Sequence, residues 1–202
     1  MNRLTKQAVS GFTLVEVVLA LGLSLLTLSV LYSIYVAELK AQLVREEILD
    51  AQQRARVVVD LVSRELFMAG FDPAGVNRDA NPTNDFQGVG IDSKGLWVRA
   101  DLNGNGITND PNESITFSHD VPSRTLRRNT GGGNQPFAED IELFQATLLD
   151  QQGHPTGIPS EVREVELIVT ARTAASDPKF FKNEGFRTVT LQSRVTPRNL
   201  SP

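Results

Sequence analysis

The chain has 202 residues and a mass of 22.1 kDa, which fits one ordinary domain plus an extra segment and excludes a large multidomain enzyme. The hydrophobic fraction of 40% and charged fraction of 22% exclude a mainly disordered chain and a polytopic membrane protein. A net charge of -4 gives no long-range attraction to phosphates, so nucleic acid is not an expected partner. The absence of cysteine excludes disulfides, thiol catalysis and cysteine-held metals.

Most of the apolar character lies in one block near the amino terminus, residues 12–37. The block follows a leader that contains Arg3 and Lys6 and no acidic residue, and its single charged side chain is Glu16. As a helix, its 26 residues would be about 39 Å long, enough to cross a hydrocarbon core of about 30 Å. The block is longer than the apolar region of a secretory signal peptide. The positive leader predicts a single-pass protein whose amino terminus is cytoplasmic and whose head is outside the cytoplasm.

Glu16 needs an explanation, because an acidic side chain near the bilayer centre costs about 2.5 to 3.5 kcal/mol. One explanation is local: Thr13 and Glu16 have the spacing of a capping box, and a carboxylate in the first turn also favours the helix dipole. The other explanation is that Glu16 has a partner in an assembly.

The sequence Gly11-Phe12-Thr-Leu-Val-Glu16, after a basic leader and before a long apolar run, resembles the processing site of type IV prepilins and type II secretion pseudopilins. The resemblance implies that residues 1–11 are a leader, that prepilin peptidase cuts after Gly11, and that the same enzyme methylates the new amino terminus on Phe12. It also implies that Glu16 neutralises the amino-terminal charge of a neighbouring subunit during assembly, which would give this carboxylate its partner.

Residues 38–70 are predicted to continue the helix in amphipathic form, since apolar and small residues recur every three or four positions. Gly70 and Pro73 are helix-ending signals, so we expect one helix of roughly 58 residues. The predicted buried stripe consists of Ile48, Ala51, Ala55, Val58, Val62, Leu66 and Ala69.

Residues 71–202 are predicted to form a β-rich head. The clearest strand signal is the alternation of Val165, Leu167, Val169 and Ala171 with polar residues, which is typical of a half-buried antiparallel strand. The predicted strands are residues 95–100, 114–118, 125–129, 141–149, 162–173 and 187–197. We therefore expect an α+β fold in which a long amino-terminal helix packs on an antiparallel sheet, the type IV pilin fold that the resemblance implies.

Two further segments are similar to PilW-type minor pilins, relatives of the J-type minor pseudopilins. They are Arg64-Glu-Leu-Phe-Met-Ala-Gly-Phe-Asp-Pro73 and the closing Pro197-Arg-Asn-Leu200. The resemblance implies a minor pilin that primes or caps a type IV pilus and waits in the bacterial inner membrane, in contact with lipid, before it enters the filament. The implied partners are other major and minor pilins, prepilin peptidase and the inner-membrane assembly platform.

Two alternatives remain open. One is a minor pseudopilin of a type II secretion system, and the other is an unprocessed, membrane-anchored module that binds calcium or adheres to a surface. No enzyme motif is present, so an enzyme is not expected. Arg124, Arg127 and Arg128 form the basic cluster that a DNA-binding minor pilin would need, but a solvated strand face is the favoured interpretation.

Residues 101–113 form a candidate calcium loop, because oxygen-bearing side chains stand at positions 1, 3 and 5 and Gly106 at position 6, as in the first half of an EF-hand loop. The loop departs from that motif at position 12, where Asn112 stands and the acid follows one residue later at Glu113. Tight turns alone also explain Asn-Gly sequences. The candidate ligands are Asp101, Asn103, Asn105, the backbone carbonyl of Ile107, and Asp110.

Overall fold

The structure is a computed structural model that describes residues 11–200. The leader residues Arg3 and Lys6 lie outside the described residues. The chain divides into two units, Met1–Arg45 and Glu46–Pro202. The long helix α1, Leu14–Met68, is the first element and confirms the predicted helix.

The part of α1 in the first unit leaves its side chains uncovered. From residue 14 to residue 37, every side chain is exposed except that of Val36, which is half-buried. Within residues 11–200, α1 is the one helix that is long and apolar enough to cross a membrane. A long apolar surface without a covering is typical of a segment that lies in lipid or against other subunits.

Three hydroxyl groups of this apolar segment, those of Ser24, Thr27 and Ser33, are satisfied within the helix. Ser24 donates to the carbonyl of Ala20 at 2.7 Å, and Ser33 donates to that of Ser29 at 2.9 Å. Thr27 makes the same four-residue contact at 2.9 Å. Because these groups need no outside partner, they do not prevent the segment from lying in hydrocarbon.

The second unit begins with the amphipathic part of α1, and its buried stripe is as predicted. The fully buried residues are Ala51, Ala55, Val58, Val62, Leu66 and Ala69, whereas Ile48 is half-buried. The helix ends at Met68, and Gly70 follows with a φ of 75°, the left-handed conformation that glycine adopts without strain. The amide of Gly70 then donates to the carbonyl of Arg99 at 2.9 Å, which fixes the chain against the sheet.

Within residues 11–200, eight strands follow in two antiparallel sheets. The first sheet has the order β1-β2-β3-β4-β5 and the second the order β6-β7-β8. The strands of the first sheet are β1 (Val89–Asp92), β2 (Gly95–Arg99), β3 (Ser114–Asp120), β4 (Thr125–Asn129) and β5 (Gln135–Ala138). Those of the second sheet are β6 (Ile141–Leu149), β7 (Glu164–Arg172) and β8 (Thr188–Val195).

One core joins the helix to both sheets. Val58 and Leu66 of α1 belong to the same buried cluster as Phe117 of the first sheet and Leu167 of the second. Along β7, residues alternate between buried and half-buried, as the sequence predicts. The predicted α+β class, with a long helix packed on antiparallel strands, is therefore confirmed.

The six predicted strands are all present, and they correspond to β2, β3, β4, β6, β7 and β8. The structure of residues 11–200 arranges the strands in two sheets and adds β1 and β5, which were not predicted. Both are only four residues long, and β5 contains Pro136, which a strand tolerates because β5 lies at a sheet edge. Three short 3₁₀ turns complete the described elements: Val76–Arg78, Pro159–Glu161 and Asn183–Gly185.

Candidate functional site: the assembly segment and the 101–113 loop

The predicted processing site lies just before α1. Gly11 and Phe12 are in irregular backbone, both are exposed, and the Phe12 ring keeps 87% of its surface accessible. No other part of the described chain comes within 4 Å of a Cβ built on Gly11. The peptide bond between the two residues is therefore open to an approaching enzyme.

Thr13 and Glu16 form the capping box that their spacing predicts. The backbone N–H and the hydroxyl of Thr13 donate to Glu16 Oε2 at 2.8 and 2.9 Å. The Glu16 N–H in turn contacts Thr13 Oγ1 at 3.3 Å. These contacts satisfy amides at the helix start that have no partner within the helix.

The capping role uses only part of the hydrogen-bonding capacity of the Glu16 carboxylate. Both contacts from Thr13 reach Oε2, and a carboxylate has about four lone-pair sites. Glu16 is exposed and can accept a hydrogen bond from a positive group while it caps the helix. The local explanation of Glu16 and the assembly explanation are thus compatible.

The 101–113 loop connects β2 to β3 and begins at the fully buried Asp101. Asp101 Oδ1 accepts hydrogen bonds from the amides of Gly104 at 2.7 Å and Asn105 at 3.2 Å, and Oδ2 accepts one from Gly106 at 2.9 Å. Gly104 and Gly106 have φ values of 78° and 83°, which residues other than glycine rarely adopt. The loop backbone is thus wrapped around the Asp101 carboxylate.

The polar side chains at positions 3, 5 and 10 of the loop converge. The side-chain amides of Asn103 and Asn105 both donate to Asp110 Oδ2, each at 2.8 Å. Asn103 Oδ1 accepts from the amide of Asn105 at 2.9 Å, and Asn105 Oδ1 accepts from that of Ile107 at 3.0 Å. The structure therefore brings three of the predicted side-chain ligands together.

Glu113, at the end of the loop, is buried with 3% of its surface exposed. Its Oε1 accepts hydrogen bonds from the amides of Leu102 at 2.9 Å and Asn103 at 3.0 Å. Its Oε2 is buried and has no hydrogen-bond partner. The carboxylate therefore turns back onto the start of the loop, although counting EF-hand positions leaves Glu113 out of the predicted ligand set.

The acidic side chains of the loop do not converge on one point. Among residues 11–200, no three Asp, Glu, His or Cys side chains are close enough together to hold a metal ion by themselves. A bound ion would need the amide oxygens of the asparagines as well, or a movement of the carboxylates toward each other.

No protein-family model matches the sequence. No curated protein matches it either. A similar solved structure is a type IV-like pilin from Thermus thermophilus. It is 13% identical, with a TM-score of 0.45 over 74% of this chain and 98% of that chain. An identity and a score this low assign neither a family nor an activity.

The basic cluster on β4 and the turn before it is neutralised by acids. Arg124, Arg127 and Arg128 each lie beside a carboxylate of the second unit. The pairs are Arg124 with Glu142 at 3.7 Å, Arg127 with Asp120 at 3.5 Å, and Arg128 with Glu65. Each pairing removes positive charge that a nucleic-acid interface would use.

Proposed function

We propose that this chain is a minor pilin: an exported subunit that is cut after Gly11, N-methylated on Phe12, and held in the inner membrane until it enters a type IV pilus. It does no chemistry of its own. Residues 12–37 are its membrane and assembly segment, and the second unit is the head that remains outside the cytoplasm. Its partners are major and minor pilins, prepilin peptidase and the assembly platform.

The observation that carries this proposal is the uncovered apolar helix that starts just after Gly11 and Phe12. A soluble protein would bury such a surface in its own core, but the side chains of α1 from residue 14 to residue 37 are exposed apart from the half-buried Val36. Between residues 14 and 37 the helix has one charged side chain, Glu16, placed in its first turn, where it can meet the methylated amino terminus of a neighbour. Lipid before assembly and other pilin helices afterwards would cover the same surface.

A fractionation experiment tests the proposal. Surface filaments sheared from the cells that make this protein should contain it in a small amount relative to the major pilin, and the membrane fraction should contain the remainder. Its absence from filaments that are otherwise well assembled, read by quantitative mass spectrometry, would contradict a role in the pilus.

The same cells distinguish the pilus from type II secretion. Deletion of the gene should reduce surface pili and leave secreted enzymes unchanged. Loss of secreted enzymes with normal pili would instead identify a minor pseudopilin, which uses the same processing and the same helix.

A second candidate function is an unprocessed, membrane-anchored module whose head binds calcium or a surface. The buried carboxylates of the 101–113 loop favour it, because they offer oxygen ligands for calcium. A head that binds a ligand needs no filament. This function predicts an intact leader, and a head that works equally well when Glu16 is replaced by alanine.

A further inference from the structure

The 101–113 loop buries negative charge without a positive partner. Asp101 is fully buried and Glu113 is 3% exposed, and Asp110 lies nearby in the same loop. Within residues 11–200, no lysine, arginine or histidine forms an ion pair with any of the three. Backbone amides satisfy both oxygens of Asp101, whereas a buried carboxylate that is neither paired nor fully hydrogen-bonded is strongly disfavoured, so the burial of Glu113 requires an explanation.

The orphan oxygen of Glu113 points to a ligand. Amides of the loop satisfy Glu113 Oε1, which places the carboxylate inside the loop, whereas Oε2 is buried and receives no hydrogen bond. A hydrogen-bond donor from the protein would remove this penalty, and so would a cation. The described part of the chain supplies no such donor.

The other groups of the loop are those that calcium prefers. The polar side chains of residues 101–113 offer carboxylate, amide and hydroxyl oxygens, and none of them offers sulfur or imidazole, which disfavours zinc and copper. An oxygen that accepts one backbone N–H keeps a second lone pair, so Oδ2 of Asp101 and the side-chain oxygens of Asn103 and Asn105 can coordinate a metal without losing their turns. Calcium also tolerates irregular sets of six to eight oxygens, whereas magnesium demands a near-ideal octahedron.

We propose that the 101–113 loop binds one calcium ion and that Glu113 is one of its ligands. The ion takes Glu113 Oε2 in place of the missing donor, and it draws the carboxylates of Asp101 and Asp110 together. The remaining ligands are the side-chain oxygens of Asn103 and Asn105 and the backbone carbonyl of Ile107. This site is independent of the filament function, so either proposal can fail without the other.

The loop is positioned so that the ion would fasten the end of α1 to the first sheet. The amide of Asp101 donates to the carbonyl of Phe71 at 2.8 Å, three residues after the helix ends. The amide of Ala100 donates to the carbonyl of Glu113 at 2.9 Å, which closes the base of the loop. Calcium would therefore stabilise the connection between helix and sheet in a head that contains no disulfide.

Calcium titration of the full-length protein in detergent tests the site. After removal of metals with EDTA, calorimetric titration with CaCl₂ should give one binding event per chain, and 1 mM CaCl₂ should raise the melting temperature above that in EDTA. Equal MgCl₂ should give a smaller shift. Glu113→Gln should weaken calcium binding at least about tenfold, whereas the matched control Asp92→Asn, an exposed acid in the β1–β2 turn, should bind calcium as the wild type does.

The Gln side chain keeps an oxygen for the amides of Leu102 and Asn103, and it removes the unpaired charge. In EDTA, Glu113→Gln should therefore melt at or above the wild-type temperature. A melting temperature well below wild type in EDTA would show that the buried charge is already satisfied. The absence of a calcium-dependent heat or shift in the wild type would equally overturn the proposal, and so would unchanged calcium affinity in Glu113→Gln.

Discussion

The buried face and the exposed face of α1 should respond differently to the same leucine-to-alanine mutation. Leu66 and Leu49 both lie on α1 within the second unit, but Leu66 is fully buried in the core whereas Leu49 is 61% exposed. Leu66→Ala and Leu49→Ala remove the same atoms from the same element. Any difference in stability must therefore come from burial rather than from helix propensity.

The size of the difference follows from the packing. Truncation of a fully buried leucine costs about 2 to 5 kcal/mol, because transfer free energy is lost and a cavity remains. At about 2 to 4 °C per kcal/mol for a domain of this size, Leu66→Ala should lower the melting temperature by about 4 to 20 °C. Leu49→Ala should change stability by no more than about 0.5 kcal/mol, or about 2 °C.

Thermal unfolding of the full-length protein in detergent, followed by near-ultraviolet circular dichroism, measures both variants. In cells, Leu49→Ala should also reduce recovery in sheared filaments, because an exposed apolar residue on α1 is available to neighbouring subunits. Equal melting temperatures for the two variants would refute the assignment of the buried face. Full recovery of Leu49→Ala in filaments would exclude that position from the subunit contact.

Three further predictions test other parts of the molecule. Glu16→Ala should leave the amount of the protein in the membrane unchanged but lower its recovery in filaments about tenfold or more, since a hydrogen bond to a charged group contributes about 1.5 to 3 kcal/mol. Unchanged recovery of the variant in filaments, measured on immunoblots, would contradict the assembly role of Glu16. Gly88→Ala should lower stability by about 1 to 3 kcal/mol in a urea titration, because its Cβ would lie 2.4 Å from the backbone nitrogen of Gly70, and wild-type stability would refute that contact. The backbone N–H of Lys179 holds the pKa of Asp177 below its ordinary value of about 4. The ionised carboxylate therefore stabilises the fold above that pH, and its contribution is lost as the pH falls through the lowered pKa. The stability difference between wild type and Asp177→Asn should shrink over that range, and a constant difference would show that the ionised form is not the one stabilised.

The elements with strong periodicity were predictable. The amphipathic part of helix α1 and strand β7 each repeat one burial pattern, and the first part of α1 is an unbroken apolar run, so local sequence alone identifies them. Strand β1 was missed because its signal is short and contains Gly90. The structure explains that glycine: it pairs with Trp97, and a Cβ at this position would lie 2.2 Å from the Trp97 ring. The reason for the residue lies on another strand, which a local pattern does not contain.

The candidate calcium loop was predictable in its position but not in its full ligand set. The spacing of Asp101, Asn103 and Asn105 located the loop, and the structure brings their polar groups into one network with Asp110. The burial of Glu113 depends on the backbone before it. Asn112 has a φ of 69°, which turns the chain before β3. Counting EF-hand positions along the sequence does not predict such a turn.

We propose that this chain is processed as a pilin, and the mass of its amino-terminal peptide reports whether it is. The protein should be extracted from the membranes of its own cells, in which prepilin peptidase is active, and digested for mass spectrometry. We expect a peptide that begins at N-methylated Phe12. A peptide that begins at Met1 with an intact Gly11-Phe12 bond would contradict the proposed processing and would leave Glu16 as a helix cap.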